Sequence, residues 1–313
     1  MTVARSLQVL AAVAVLAMLW AGLDGATAAR LLSQAQPEWL LAALAALTLQ
    51  TVLSALRWQL TAGQLGQQIP LRTAVAEYYL AQVVNQSLPG GVLGDAGRAV
   101  RARHAAGLRR AGAAVAIERM AGQLSLLLVL SGGVVAVTMA PGGLSIPTPL
   151  LVLLVAIVAG ALAVALAIRW SAGLSGRAGR RAQHLRDALS RTLLSRRALP
   201  RQAVLNLAIT TANLLAFAAC ARATGTRMEV VEVAVLVPLI LLTMILPLTI
   251  SGWGLREGAA AALFPIIGAS ASAGLAASLA FGLVFLASTS PGLLMLLARQ
   301  RPGTGARRAG ADG

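Results

Sequence analysis

The chain has 313 residues, of which 58% are hydrophobic and 12% charged, and its mean hydropathy is +0.79. A soluble domain of this length cannot hide so much apolar surface, so lipid must cover much of it. The formal charge of +16 comes from arginine without any lysine, and aromatics make up only 4%, which leaves little surface for stacking bases and makes nucleic acid an unexpected partner.

In chain order, the first apolar run is residues 7–23, read as an uncleaved first helix although Ala26-Thr27-Ala28 resembles a small-residue cleavage site. Further spans are predicted at 39–56, 111–139, 150–168, 203–221, 230–250 and 271–298, each near the length that crosses about 30 Å of hydrocarbon. Between them lie the basic stretches. The loop 169–201 carries Arg177, Arg180, Arg181, Arg186, Arg191, Arg196 and Arg197 against the single acid Asp187. Arg57, Arg72, Arg98, Arg101, Arg103, Arg109 and Arg110 put the segment after the second span on the same side, as do Arg299, Arg301, Arg307 and Arg308 in the tail. The positive-inside rule makes that side cytoplasmic, so both termini are expected there and the crossings must be even in number.

Counting 230–250 as one full crossing breaks this parity. Either 255–267 crosses as well, or 230–267 dips in and returns; Pro238, Pro247 and Ser251-Gly252-Trp253-Gly254 favour the dip. A similar interruption occurs earlier, where Leu88-Pro89-Gly90-Gly91-Val92-Leu93-Gly94-Asp95 separates a helical stretch at 73–87 from a return at 95–103. Each break has Leu-Pro, then glycines, then a carboxylate near an arginine. Paired interrupted segments of opposite orientation point to an inverted-repeat transporter site. The alternative is two unrelated loops at helix ends.

Three acid–arginine pairs stand in otherwise apolar surroundings. Asp95 and Arg98 are three residues apart and share a face of a helix. Glu118 and Arg119 are adjacent and point about 100° apart, so each is expected to pair with another segment; Arg256 and Glu257 are read the same way. Ionisable groups at membrane depth normally face a bundle interior or a wet cavity. Arginine grips phosphate through a planar fork, and glycine-rich turns before helices offer backbone N–H groups to the same anion. Arg98, Arg119 and Arg256, with Gly90, Gly91, Gly252 and Gly254, are thus the phosphate-facing candidates. Asp95, Glu118 and Glu257 balance them or carry a proton. Pro89, Gly94 and Pro247 shape the breaks, and Asn85 caps or braces the first. Each pair can also be read as a salt bridge that fixes helix register, or as an interfacial charge that snorkels to water. Glu77, Tyr78 and Tyr79 read as interfacial residues, and Cys220 as small buried packing. His104 and His184 lie apart from any cysteine or carboxylate cluster, so neither a metal nor another cofactor is expected.

Taken together, Arg57-Trp58, the run from Asn85 through Pro89-Gly90-Gly91 to Asp95-Ala96-Gly97-Arg98, and Glu118-Arg119-Met120-Ala121-Gly122 resemble the lysylphosphatidylglycerol synthase transmembrane-region family. Ser251-Gly252-Trp253-Gly254-Leu255-Arg256-Glu257-Gly258 resembles its second signature. The resemblance implies a bacterial inner-membrane, flippase-like domain of the kind that moves an aminoacylated phospholipid between leaflets. The family's synthases carry a soluble aminoacyl-transferase domain after the membrane part, and this sequence instead continues into a short arginine tail, so the word synthase does not transfer.

The expected architecture is an all-α polytopic membrane protein, with a transmembrane domain over 1–298 and a disordered basic tail over 299–313. It has about six full spans plus two glycine-rich re-entrant hairpins, or about eight if the hairpins cross. The expected function is translocation of an anionic phospholipid or prenyl-linked lipid, with no enzymatic step. One rival is a non-transporting membrane partner of a lipid- or glycan-synthesis enzyme, docking through the loop 169–201. A lesser rival is a membrane-embedded lipid-modifying enzyme, which the sequence supports with no nucleophile–base pair, metal cluster or nucleotide loop.

Overall fold

A computed structural model describes residues 2–87, 92–139, 147–171, 173, 176–245, 249 and 251–300. Among these residues all regular structure is helical. Residues 301–313 of the expected tail and the break residues Pro89, Gly90, Gly91 and Pro247 lie outside them, while 299 and 300 end the last helix.

Helix α1 (Thr2–Gly22) meets α2 (Gly25–Ser33) at a 95° bend. Asp24 makes the bend: it sits at φ 52° and caps α2 by accepting from the Thr27 amide at 3.2 Å. Ala28 of α2 is fully buried against Leu275 and Ala276. Helix α3 (Pro37–Gln64) opens with proline in its first turn and runs antiparallel to α9 (Leu199–Ala223). The Gln36 amide reaches the Ala223 carbonyl at one end (3.0 Å), and Gln202 donates to the Thr61 hydroxyl at the other (3.0 Å). Around this pair stand α6 (Leu108–Met139), α7 (Thr148–Ser171) and α12 (Ala271–Ser288), which leads into α13 (Ser290–Gln300).

Five helices are long and apolar enough to cross a membrane, or six if the bent α1–α2 pair counts as one span. Helix α7 carries the clearest signature: its most apolar window has no buried share, so its apolar side chains have lipid as their solvent. The basic loop after it forms α8 (Arg177–Leu189) and a π-helical turn, Ser190–Leu194.

Two hairpins complete the bundle. The first is α4 (Leu71–Ser87) with α5 (Leu93–Ala106), and the second is α10 (Val230–Leu242) with α11 (Leu255–Leu263). At 1.5 Å per residue α5 rises about 21 Å and α11 about 14 Å, short of the ~30 Å needed to cross. The lengths fit dipping hairpins, not the eight-span alternative. Gly94 lets the first hairpin close, because a Cβ there would overlap the Ala81 carbonyl. In the second, Gly252 (φ 78°) and Gly254 (φ 87°) take backbone conformations that favour glycine. A core of Leu47, Phe217, Cys220, Ile240, Phe264 and Phe281 ties α3, α9, α10 and α12 together. The rings of Phe217 and Phe281 lie 5.4 Å apart.

Candidate functional site

Polar residues recur at helical spacing on the inward faces of four helices. Helix α3 presents Gln50, Ser54, Arg57 and Thr61; α4 presents Tyr78, Gln82 and Asn85. Helix α6 presents Glu118 and Ser125, with Gly122 between them on the same face, and α9 presents Asn206, Thr210 and Asn213. Steps of three and four residues stack side chains on one helix face, so each helix brings a polar stripe into an apolar bundle. The stripes meet: Thr51 and Gln82 exchange hydrogen bonds (3.2 and 3.1 Å), and the Ser125 and Thr210 hydroxyls lie 2.9 Å apart.

At the centre is Glu118, with no exposed surface. Its Oε1 accepts from Arg57 Nη2 (2.5 Å), Arg57 Nε (3.1 Å) and the Tyr78 hydroxyl (3.2 Å). Its Oε2 accepts from Arg98 Nη2 at 3.0 Å. Arg98 also donates to Asp95 at 2.9 Å and is sandwiched between the rings of Trp58 (4.5 Å) and Tyr78 (4.4 Å). Arg119 pairs with the other oxygen of Asp95. Asn85 braces the break: its carbonyl accepts from the Gly94 amide (2.7 Å) and its amide donates to Asp95 (3.1 Å). Gly122 leaves room for Arg57, whose guanidinium nitrogens would lie 3.1 Å from a Cβ there. Three guanidinium groups thus share two carboxylates, leaving one formal positive charge.

Beside this cluster lies a cavity of about 350 Å³. Arg57, Arg119, Asp95 and Glu118 form its charged wall, and Gln50, Gln82, Asn85, Gln86, Gln123 and Asn213 its amide wall. Leu241, Met244, Ile245, Phe281 and Phe285 close the apolar side. Ser251 of the second break donates to the Gln86 side chain at the end of α4, so the two breaks meet at this cavity.

Of the sequence candidates, Asp95, Arg98, Glu118, Arg119, Asn85 and Gly94 come together here. Arg256 and Glu257 form a second cluster and do not line the cavity. They correct the expectation drawn from adjacency: Arg256 Nη2 and Nε reach the Glu257 carboxylate at 2.5 and 3.1 Å. The physical reason is that Glu257 folds back over the first turn of α11, where its other oxygen takes the Gly254 amide at 2.7 Å, within reach of the long arginine side chain. Ser278 of α12 completes the knot, and Trp253 and Phe281 cover the guanidinium. The Gly254 amide is therefore engaged by protein, and Gly252 packs on Met244.

Sequence reasoning missed three participants. Arg57 was read as a flanking charge, yet it is 5% exposed, because α3 continues past it to Gln64. Tyr78, read as interfacial, faces Arg98 and Glu118 instead. Asn206 accepts from Arg57 at 2.6 Å. The polar stripe at three- and four-residue spacing was the signal available for each.

Among curated proteins no match was found. Residues 6–291 match the family model described as Lysylphosphatidylglycerol synthase TM region. Nearly the whole described bundle, with its cavity and both clusters, falls within the match, and the chain belongs to that family of membrane proteins linked to lipid handling.

Proposed function

We propose that the protein binds the headgroup of an anionic phospholipid or prenyl-linked lipid in the polar cavity and carries it between leaflets. The supporting observation is the cavity itself: about 350 Å³, with Arg57, Arg119, Asp95 and Glu118 on its charged wall and the buried Arg98 directly behind it, so that three arginines stand against two carboxylates. Arg57 lies seven residues before the end of α3 and Glu118 ten residues after the start of α6, or roughly 10–15 Å from those helix ends at 1.5 Å per residue. At that depth a surplus positive charge is costly, and an anionic headgroup offsets it.

The proposed route is alternating access, with the hairpin breaks at Gln86 and Ser251 parting on one side while the other stays closed. Six crossings put both ends on the side that carries the arginine loops, the cytoplasmic face of a bacterial inner membrane. No catalytic step is part of this reading. A second reading, a docking partner of a lipid- or glycan-synthesis enzyme, is favoured by one feature only: the exposed basic face of α8, with Arg180 and Arg186.

The test is reconstitution in phosphatidylcholine vesicles holding a trace of acyl-chain-labelled phosphatidylglycerol, with dithionite reporting the outer leaflet. Wild type should speed exchange between leaflets over protein-free vesicles, and Arg119→Gln should slow it about tenfold, the worth of one charge-assisted contact. Wild-type exchange no faster than protein-free vesicles, with labelled phosphatidylglycerol and with a labelled prenyl phosphate alike, rejects translocation.

A further inference from the structure

Far from the cavity, helix α8 has two faces of opposite character. Ala182, Leu185 and Leu189 fall within an arc of about 60° at 100° per residue, and Arg180, His184 and Asp187 fall on the opposite side. Arg186 stands at the edge of the apolar stripe. Among the described residues α8 packs mainly on the end of α7 and on the π-helical turn, and Leu185 of the stripe is left exposed.

The position of α8 says what covers that stripe. Helix α7 faces lipid up to Trp170, an exposed tryptophan in its last turn, and indole rings gather where hydrocarbon meets water. The short link 172–176 then leads into α8. At the other end the π-helical turn, with Thr192 buried, packs on α3 and α9, where Gln202 meets Thr61. Both ends of α8 are thus held at the level where spans leave the bilayer. Leu194 and Leu199 are exposed and carry apolar surface on from the turn into α9. Seven arginines stand against Asp187 alone between 177 and 197, and Arg186, Arg191, Arg196 and Arg197 are exposed. Hydrocarbon suits the leucines and water the arginines. The headgroup layer of an anionic leaflet suits both, because arginine stems lie along apolar surface while their guanidinium groups meet phosphate.

We infer that α8 is an interfacial helix that lies along the surface of an anionic leaflet, the cytoplasmic one by its arginines. Ala182, Leu185 and Leu189 enter the headgroup layer, Arg186 reaches lipid phosphate from the edge of the stripe, and Arg180 faces water. The contact ties the corner between α7 and α9 to the membrane surface. It is independent of what the cavity holds.

The test attaches a spin label to Leu185→Cys or Arg180→Cys of the full chain, each in a Cys220→Ala background, in nanodiscs of phosphatidylcholine mixed with phosphatidylserine. Both labelled positions are exposed, so the thermal unfolding of each variant should match that of the background protein. Oxygen concentrates in the bilayer and a nickel chelate in water, so their relaxation of the label reports its depth. The label at 185 should respond more to oxygen than to nickel, and the label at 180 the reverse. A label at 185 as open to nickel as the one at 180 overturns the membrane contact and leaves the face to a protein partner. Nanodiscs of phosphatidylcholine alone should lower the ratio of docked to lifted label at 185; an equal ratio in both lipids overturns the choice of an anionic leaflet. Arg186→Gln in the mixed nanodiscs should lower that ratio about fivefold, the worth of one cation at an anionic surface. An unchanged ratio overturns the part given to Arg186.

Discussion

The cluster around Glu118 and the cluster around Glu257 are built from the same parts, an arginine–carboxylate pair beside an interrupted helix, yet they are different devices. At Glu257 one arginine meets one carboxylate, a serine hydroxyl and a backbone amide fill the remaining oxygen positions, and aromatic rings seal the outside. Charge and hydrogen bonds close on themselves. At Glu118 the arginines outnumber the carboxylates, and Arg57, Arg119, Asp95 and Glu118 all border open space. Buried ion pairs are poor evidence of stability or function on their own, because desolvation cancels much of their attraction. What separates the two is a cluster with surplus charge that borders a cavity. The first cluster thus reads as a knot that holds the second break in shape, and the other as a place for a ligand.

The largest test of this contrast is Glu118→Gln, which leaves the buried Arg57 without its carboxylate and the buried Arg98 with Asp95 as its remaining one. It should cost about 3–5 kcal/mol, read as thermal unfolding of the detergent-solubilised protein. A near-neutral result would mean that the arginines reach water and that the cluster is not a closed charge network.

Arg256→Gln should cost about 3 kcal/mol by leaving Glu257 without its cation. Exchange of labelled lipid per folded molecule should nonetheless stay at the wild-type level. A stable Arg256→Gln protein that no longer moves lipid would erase the distinction between knot and site. Gly282→Ala probes the knot from α12, since a Cβ there would overlap Arg256 Nη2 and crowd Trp253. About 1–3 kcal/mol of lost stability is expected, and an unchanged melting profile would show the knot to be loosely packed.

Smallest in stability is Arg119→Gln. Its side chain is 40% exposed, so solvent screens its pair with Asp95 and the change should stay below about 1 kcal/mol. The same variant should carry the large loss in lipid exchange. Opposite rankings of Arg119 and Arg256 in the two measurements are what the contrast requires.

By itself the sequence determined the solvent and the class of fold. Apolar runs of membrane length, arginine loops and the glycine-rich breaks are local properties, and hydrocarbon forces every spanning segment to satisfy its backbone within a helix. The pair Asp95–Arg98 was legible too, because a three-residue step on one helix sets its geometry. Tertiary structure decided the rest. Glu118 finds Arg57 of α3 and Arg98 of α5, contacts between segments that no local spacing encodes. Arg256 turns to its own neighbour because Glu257 caps α11 and Ser278 of α12 stands opposite. Whether a buried charge is matched or surplus depends on which helices pack together, and only that packing separated the sealed pair from the one that faces a cavity.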